Sequence, residues 1–124
     1  MKMYEVLELQ SLYNSISNTK MPLKTTYKFT RLMRLAEKEI EFYQTKFREI
    51  IEEYGVKENG ELKLSEDGLS VLLIPGKEEE CNQKVIELRS LEVPIEGITF
   101  TIEELEGIDV SIQELNCIMS LIEE

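Results

Sequence analysis

The sequence predicts an α+β fold, in which a helical hairpin with one long helix joins a small antiparallel β element and a helical C-terminal end. Apolar residues recur every three or four positions over most of the first 54 residues, which is typical of amphipathic helices. Between residues 56 and 76, two turn signals bracket short alternating or β-rich runs, which favours a hairpin. Beyond residue 100, two Ser/Thr-x-x-Glu sequences match the capping box of a helix N-terminus.

Residues 1–55 are predicted to form the helical hairpin. The first helix covers residues 4–17, with apolar positions at helical spacing. These positions are Val6, Leu9, Leu12, Tyr13 and Ile16. The second helix is predicted to begin near Leu23 or Thr25, after Pro22, and to end at Tyr54. Gly55 is expected to adopt the left-handed conformation of a C-cap.

The second helix carries a heptad seam, whose members are four and three residues apart in alternation. The heptad seam consists of Phe29, Met33, Ala36, Ile40, Tyr43, Phe47, Ile50 and Tyr54. Neighbouring apolar residues widen this face, and a wide face favours burial within the domain. We therefore expect Ile40 and Phe47 in the core. A helix of this length spans roughly 45 Å, about twice the first helix, so its far end must pack against the C-terminal half or a second copy. The second option makes Met33, Ile40, Phe47 and Ile50 an oligomer seam, and we expect a homo-oligomer.

The middle of the chain, residues 56–100, is predicted to mix strands and a helix. Residues 61–64 and 69–74 are expected to pair as a β-hairpin around the turn at 65–68. A helix should follow, with Cys81, Val85, Leu88 and Leu91 on one face. Residues 91–101 are β-branched but interrupted by proline and glycine, which indicates one or two short strands near a sheet edge.

The last part, residues 101–124, is predicted to hold two short helices. Thr101 and Glu104 form the first capping box and Ser111 and Glu114 the second, while Gly107 ends the first helix. The final helix should bury one face, made of Ile112, Leu115, Met119 and Ile122. The predicted order is α-α-β-β-α-β-α-α, within a single domain of 124 residues.

Charge is distributed unevenly along the chain, which has a net charge of −11. Residues 1–48 contain nine Lys/Arg and five Asp/Glu, whereas residues 49–124 contain five and twenty. Phosphate repulsion by the acidic part makes nucleic acid an unlikely ligand. The sequence shows neither the apolar stretch of a signal peptide nor that of a membrane span, so we expect a protein of the cytoplasm.

A basic ridge follows the start of the second helix, at steps of three and four that keep its members on one side. Its members are Lys20, just before the helix, and Lys24, Lys28, Arg31, Arg34 and Lys38 within it, and these last five are the predicted partner-binding residues. The ridge has two interpretations. It is a solvated outer face, as many helices have, or it faces an anion. The anion could be the acidic surface of a partner protein, a phosphate-bearing ligand, or the acidic half of a neighbouring copy.

Catalytic and metal-binding patterns are weak. The sequence has no histidine, the commonest general base, and adjacent glutamates point in different directions on a helix. Acidic neighbours disfavour the Cys81 thiolate, and Cys117 has the pattern of a small core residue. Two distant cysteines do not assemble a zinc site. We therefore predict no catalytic residue, cofactor or metal, and reduced thiols, with a Cys81–Cys117 disulfide as the alternative.

The order of these segments resembles a family of small unannotated phage and prophage proteins of Gram-positive bacteria, mostly Firmicutes. The matching pieces are Met21-Pro22-Leu23, Glu53-Tyr54-Gly55, Glu66-Asp67-Gly68 and the closing Ile122-Glu123-Glu124. The resemblance implies a phage origin and carries over no functional residues. Together with the composition it suggests a non-enzymatic accessory protein that binds a host protein in the bacterial cytoplasm, for example to inhibit a defence system. A virion-assembly factor and a binder of a phosphate-bearing small molecule are the alternatives.

Overall fold

The computed structural model describes residues 1–123 and confirms the α+β fold, with a long helix, a two-stranded antiparallel hairpin and a helical C-terminal end. The helices are α1 (Met3–Ile16), α2 (Leu23–Tyr54), α3 (Glu78–Arg89), α4 (Ile102–Leu105) and α5 (Ile112–Ile118), followed by a 3-10 turn (Met119–Leu121). The strands are β1 (Lys57–Glu58) and β2 (Glu61–Leu62). Glu124, which closes the Ile-Glu-Glu ending, lies outside the described residues.

The chain folds into two compact units. Unit 1 comprises Met1–Glu41 and the chain from Leu91 onward, and unit 2 comprises Phe42–Ser90. The helix α2 contributes residues to each unit, so the unit boundary does not coincide with the end of a secondary-structure element.

The core of unit 1 joins α1, the first half of α2 and the part of the chain from Leu91 onward, which we call the C-terminal segment. One stripe of α1 is buried, whereas Tyr13, which was predicted to share that stripe, is 38% exposed. The buried side chains of α1 are Met3, Val6, Leu9, Leu12 and Ile16. From the C-terminal segment Phe100 is fully buried, and its ring centroid lies 4.6 Å from that of Phe29 in α2. Aromatic pairs at this distance add stability beyond the area they bury.

Backbone hydrogen bonds attach the C-terminal segment at two places, where the sequence predicted short strands. The Met3 amide donates to the Leu91 carbonyl and the Val93 amide to the Met1 carbonyl. Farther on, the Phe100 amide donates to the Leu121 carbonyl at 2.7 Å. The structure forms isolated bridges here, not regular strands. Pro94 lacks an amide donor and Gly97 has a φ of 79°, so a continuous ladder cannot extend across this segment.

The end of the chain buries a different face from the predicted one. Ile112 and Met119 are exposed, at 83% and 51%, whereas Cys117, Ile118 and Leu121 are buried. The prediction assumed one continuous helix, but α5 ends at Ile118 and a 3-10 turn follows. The tighter turn changes the angle between the side chains that follow Ile118, so that Met119 is exposed and Leu121 is buried. Ile112 is the first residue of α5 and lies on the opposite side of that helix from Cys117 and Ile118. Both predicted capping boxes are present, at Thr101 and at Ser111.

Unit 2 contains a small β element that closes on itself. The Val56 amide donates to the Leu72 carbonyl oxygen, and the Leu72 amide donates to the Lys63 carbonyl oxygen. The Lys63 amide in turn donates to the Val56 carbonyl oxygen, and all three distances are 2.8–2.9 Å. This cycle satisfies both backbone groups of each of the three residues. Backbone groups paired in this way are not available to an added strand.

The position of the regular hairpin differs from the prediction. β1 and β2 pair across Asn59 and Gly60, whose φ angles of 55° and 82° give the left-handed turn that suits a two-residue hairpin. The hairpin predicted around residues 65–68 is reduced to one bridge, between Leu64 and Val71. Asn-Gly is the stronger two-residue hairpin signal, which explains why the regular pairing forms there.

Gly55 ends α2 for a different reason from the one predicted, since it does not have a positive φ. A Cβ at this position would lie 2.6 Å from Leu62 Cδ2, 2.7 Å from the Ile51 carbonyl oxygen and 3.0 Å from Val71 Cγ1. Glycine is therefore required because backbone and side chains approach it closely. This contact lets the β element follow α2 directly.

The heptad seam of α2 is buried over only part of its length. Phe29, Met33, Ala36 and Ile40 are buried, as is Tyr54. The prediction that Phe47 lies in the core is wrong, since this side chain is 36% exposed. Its ring stacks on Tyr43 of the same helix, with centroids 5.8 Å apart. Tyr43 and Ile50 are half-buried.

We expect Ile40→Ala to destabilise the protein more than Phe47→Ala, although phenylalanine is the larger residue. Ile40 is 7% exposed, and truncating a buried isoleucine costs about 2–5 kcal/mol. Truncating the exposed Phe47 ring loses less, because solvent already covers part of it. Urea denaturation of both variants measures the difference. A larger loss for Phe47→Ala would show that this ring is buried in solution.

Candidate functional site

The basic ridge predicted from the sequence lies on α2 in unit 1, but its members do not share one environment. Lys24, Arg31, Arg34 and Lys38 are exposed. Lys28 is different, because only 23% of its side chain is exposed and its ammonium group contacts the C-terminal segment. The five ridge residues on α2 therefore separate into one internal lysine and four outward-facing cations.

Lys28 is held by three groups of the C-terminal segment. Its Nζ lies 2.8 Å from Glu104 Oε1 and donates to the Thr99 carbonyl oxygen at 2.6 Å. It also lies 5.8 Å from the centroid of the Phe100 ring, within the range of a cation–π contact. Lys28 thus attaches the C-terminal segment to α2. It has little capacity left for an external partner, contrary to its place among the predicted partner-binding residues.

Glu104 is the counterpart of Lys28 and has two structural roles. Its Oε1 also accepts from the Thr101 amide at 3.0 Å, which completes the capping box of α4, and its carbonyl oxygen accepts from the Thr25 hydroxyl at 3.2 Å. The hydrogen bond from Lys28, followed by that from the Thr101 amide, lowers the pKa of this carboxyl group below its ordinary value of 4.5. Glu104 is therefore ionised at neutral pH, and its charge is used within the fold.

The four outward-facing cations form what we call the cationic face, made of Lys24, Arg31, Arg34 and Lys38. Within residues 1–123, none of them has a carboxylate within 4.0 Å. Two exposed apolar side chains accompany them on α2: Leu23 is 84% exposed and Tyr27 is 62% exposed. The Arg31 guanidinium lies 6.0 Å from the Tyr27 ring centroid. Arginine and tyrosine are the residue types that most often dominate binding at protein interfaces.

The acids from Leu91 onward divide into carboxylates that contact other groups of the fold and carboxylates that face solvent. From Leu91 onward the sequence has nine Asp/Glu and no Lys/Arg. Several are engaged: Glu92 pairs with Lys2 at 2.7 Å, Glu104 with Lys28, Glu114 caps α5, and Glu123 accepts from Thr99. A second group of four exposed acids lies close together in sequence, and we call it the acidic patch. It consists of Glu96, Glu103, Glu106 and Asp109.

Neither cysteine has the surroundings of a nucleophile. Across residues 1–123 both thiols are free, and both are buried. Burial raises the pKa of Cys81, and burial together with Glu8 raises the pKa of Cys117 to about 11. A protonated thiol is a poor nucleophile. The Cys117 thiol instead donates to the Glu114 carbonyl oxygen at 2.9 Å, as expected of a small core residue.

The described part of the chain meets neither the requirements of a metal site nor those of a membrane-spanning helix. Among residues 1–123, no three His, Cys, Asp or Glu side chains converge on a point where they could hold a metal ion. Over the same residues, no helix combines the length and the apolar character that crossing a bilayer requires.

Comparison with known proteins gives no relative for this chain. No protein-family model, no curated protein and no solved structure matches it. The resemblance to phage and prophage proteins stays a prediction.

We expect the stability contributed by Glu104 to be present at neutral pH and lost in acid. Because the folded pKa is below 4.5, this contribution is complete above that value and disappears as the pH falls through the folded pKa. Melting temperatures of the wild type and Glu104→Gln should therefore differ at pH 7 and converge as the wild-type carboxyl group is protonated. Glu87→Gln, which changes an exposed carboxylate of α3, is the control and should match the wild type throughout. Equal melting temperatures for wild type and Glu104→Gln at pH 7 would contradict a structural role.

Proposed function

We propose that this protein is a non-enzymatic phage or prophage accessory protein that binds a host protein through its cationic face. One observation supports this most strongly. Lys24, Arg31, Arg34 and Lys38 are exposed at helical spacing on the unit 1 part of α2, and none of the four has a carboxylate within 4.0 Å among residues 1–123, in a protein whose net charge is −11. Exposed cations gathered on one side of one helix, without a nearby carboxylate, present a positive surface that an external anion can approach.

The cationic face fits an acidic protein surface better than nucleic acid. Its cations extend from Lys24 to Lys38, which is roughly 21 Å along the helix axis. Unit 1 also presents the acidic patch. Its negative charge would repel a long phosphate backbone more strongly than it would repel a local cluster of carboxylates on a partner protein. The exposed side chains of Leu23 and Tyr27 supply apolar contacts, which a protein interface uses at its centre.

A small phosphate-bearing ligand is less well supported. Small-molecule sites are concave and surround most of their ligand. The four cations lie on the exposed side of a single helix, which offers charge without enclosing walls.

A role in virion assembly is the second candidate, and exposed apolar side chains of unit 2 favour it. Phe42, Phe47 and Ile86 are exposed at 44%, 36% and 56%, and Leu69 at the tip of a turn is 85% exposed. Contacts between subunits bury exposed apolar side chains of this size. Assembly through unit 2 would not use the cationic face, so the two candidates predict different effects of substitution.

Replacing Lys24, Arg31, Arg34 and Lys38 together by glutamine should abolish binding to the host protein while leaving the fold intact. Glutamine has a helix propensity close to those of lysine and arginine, and Lys28 is left unchanged to preserve the contact with Glu104. The measurement is affinity capture from host cells with quantitative mass spectrometry, together with the melting temperature. Wild-type capture should weaken as salt is added, since exposed charges are screened.

The matched control removes four lysines of unit 2, by changing Lys57, Lys63, Lys77 and Lys84 to glutamine. This variant has the same net charge as the first, so a non-specific charge effect would alter both equally. We expect the control to retain the partner. Identical capture by both variants and the wild type would exclude the cationic face as the binding surface.

A further inference from the structure

We propose that the cationic face also binds the acidic patch of a second copy of this chain, so that the free protein is a dimer held by charge. The two surfaces match in number. In unit 1, four exposed cations lie on α2 and four exposed carboxylates lie between residues 96 and 109. Opposite charges at an interface steer association and fix its register.

The two surfaces also match in their apolar components. Leu23 and Tyr27 accompany the cations, with exposures of 84% and 62%. Ile102, beside Glu103, is 64% exposed, and Ile112, which follows Asp109 by three residues, is 83% exposed. Exposed isoleucine and leucine side chains within charged surfaces are unfavourable in water, and pairing the two surfaces would cover both sets.

The fold explains why these charges do not pair within one copy. The C-terminal segment is fixed by Glu104, which contacts Lys28 and Thr25, and by Phe100, which packs on Phe29. With the segment held in this way, none of its carboxylates lies within 4.0 Å of any of the four cations among residues 1–123. A second copy is not subject to this constraint and can approach the face from outside.

A two-fold arrangement uses both surfaces of each copy. If the cationic face of one copy meets the acidic patch of the other, the symmetry axis forms the same contact a second time. Doubling matters because single exposed ion pairs contribute little. The dimer occupies the same face as the host protein of the proposed function, so the host protein would have to displace the second copy.

Charge reversal on either side tests this dimer. We expect wild type to have twice the 14.5 kDa mass of one chain by light scattering at about 50 mM salt, and to dissociate as salt is added. Arg31→Glu/Arg34→Glu and Glu103→Lys/Glu106→Lys should each weaken dimerisation at least about tenfold. Mixing the two variants in equal amounts should restore a dimer, because each then meets a complementary surface.

Two controls carry the same changes of net charge in unit 2. They are Lys57→Glu/Lys63→Glu and Glu78→Lys/Glu79→Lys, and both should dimerise as the wild type does. Circular dichroism of all variants checks that they are folded. Recovery of a dimer only in the mixture of the two unit 1 variants supports the proposal.

Three results would overturn it: a monomeric wild type at high micromolar concentration and low salt, a mixture that stays monomeric, or a dimer that neither salt nor the variants affect. The last result would point to association through apolar side chains instead. None of these outcomes affects the proposed function, which is judged by capture of a host protein with the glutamine variants. The dimer and the host complex can therefore fail independently.

Discussion

The burial of Phe100 against Phe29 is the interaction on which the architecture of unit 1 depends. It joins a segment near the end of the chain to α2, more than 70 positions earlier in sequence, and leaves Phe100 without solvent exposure. The backbone of Phe100 forms hydrogen bonds with Leu121 and Glu123, so the same residue also fixes residues 121–123. Lys28 and Glu104 add an ion pair beside the rings. Closing so long a loop costs conformational entropy, which these contacts offset together.

This attachment also determines which charges are left for other molecules. The segment from Leu91 onward contains no lysine or arginine, so its internal ion pairs must come from elsewhere, and Lys28 and Lys2 supply them. Because Lys28 pairs with Glu104, the cations that stay exposed on the unit 1 part of α2 are those of the cationic face. The separation of charge that the sequence shows along the chain therefore becomes a separation on the surface of unit 1. Both proposed interactions follow from it.

The sequence predicted features that depend on neighbouring residues and missed those that depend on distant ones. The bounds of α2 and the capping boxes at Thr101 and Ser111 follow from local patterns, and all are present. The heptad seam predicted Ile40 correctly and Phe47 incorrectly, because periodicity shows which face is apolar but not what covers it. The basic ridge was visible in the sequence, but its separation into one internal lysine and an exposed cationic face was not. The partner that makes Lys28 internal, Glu104, lies 76 positions away.

Native-state hydrogen exchange tests most directly whether the C-terminal segment is an integral part of unit 1. The amide of Phe100, which bonds to Leu121, and that of Cys117 within α5 should exchange with the same free energy as the amide of Leu9 in α1, within about 1 kcal/mol. Equal values mean that the segment and α1 open together. Rapid exchange at Phe100 and Cys117 with strong protection at Leu9 would show that the segment detaches independently, and would contradict the central place given to Phe100.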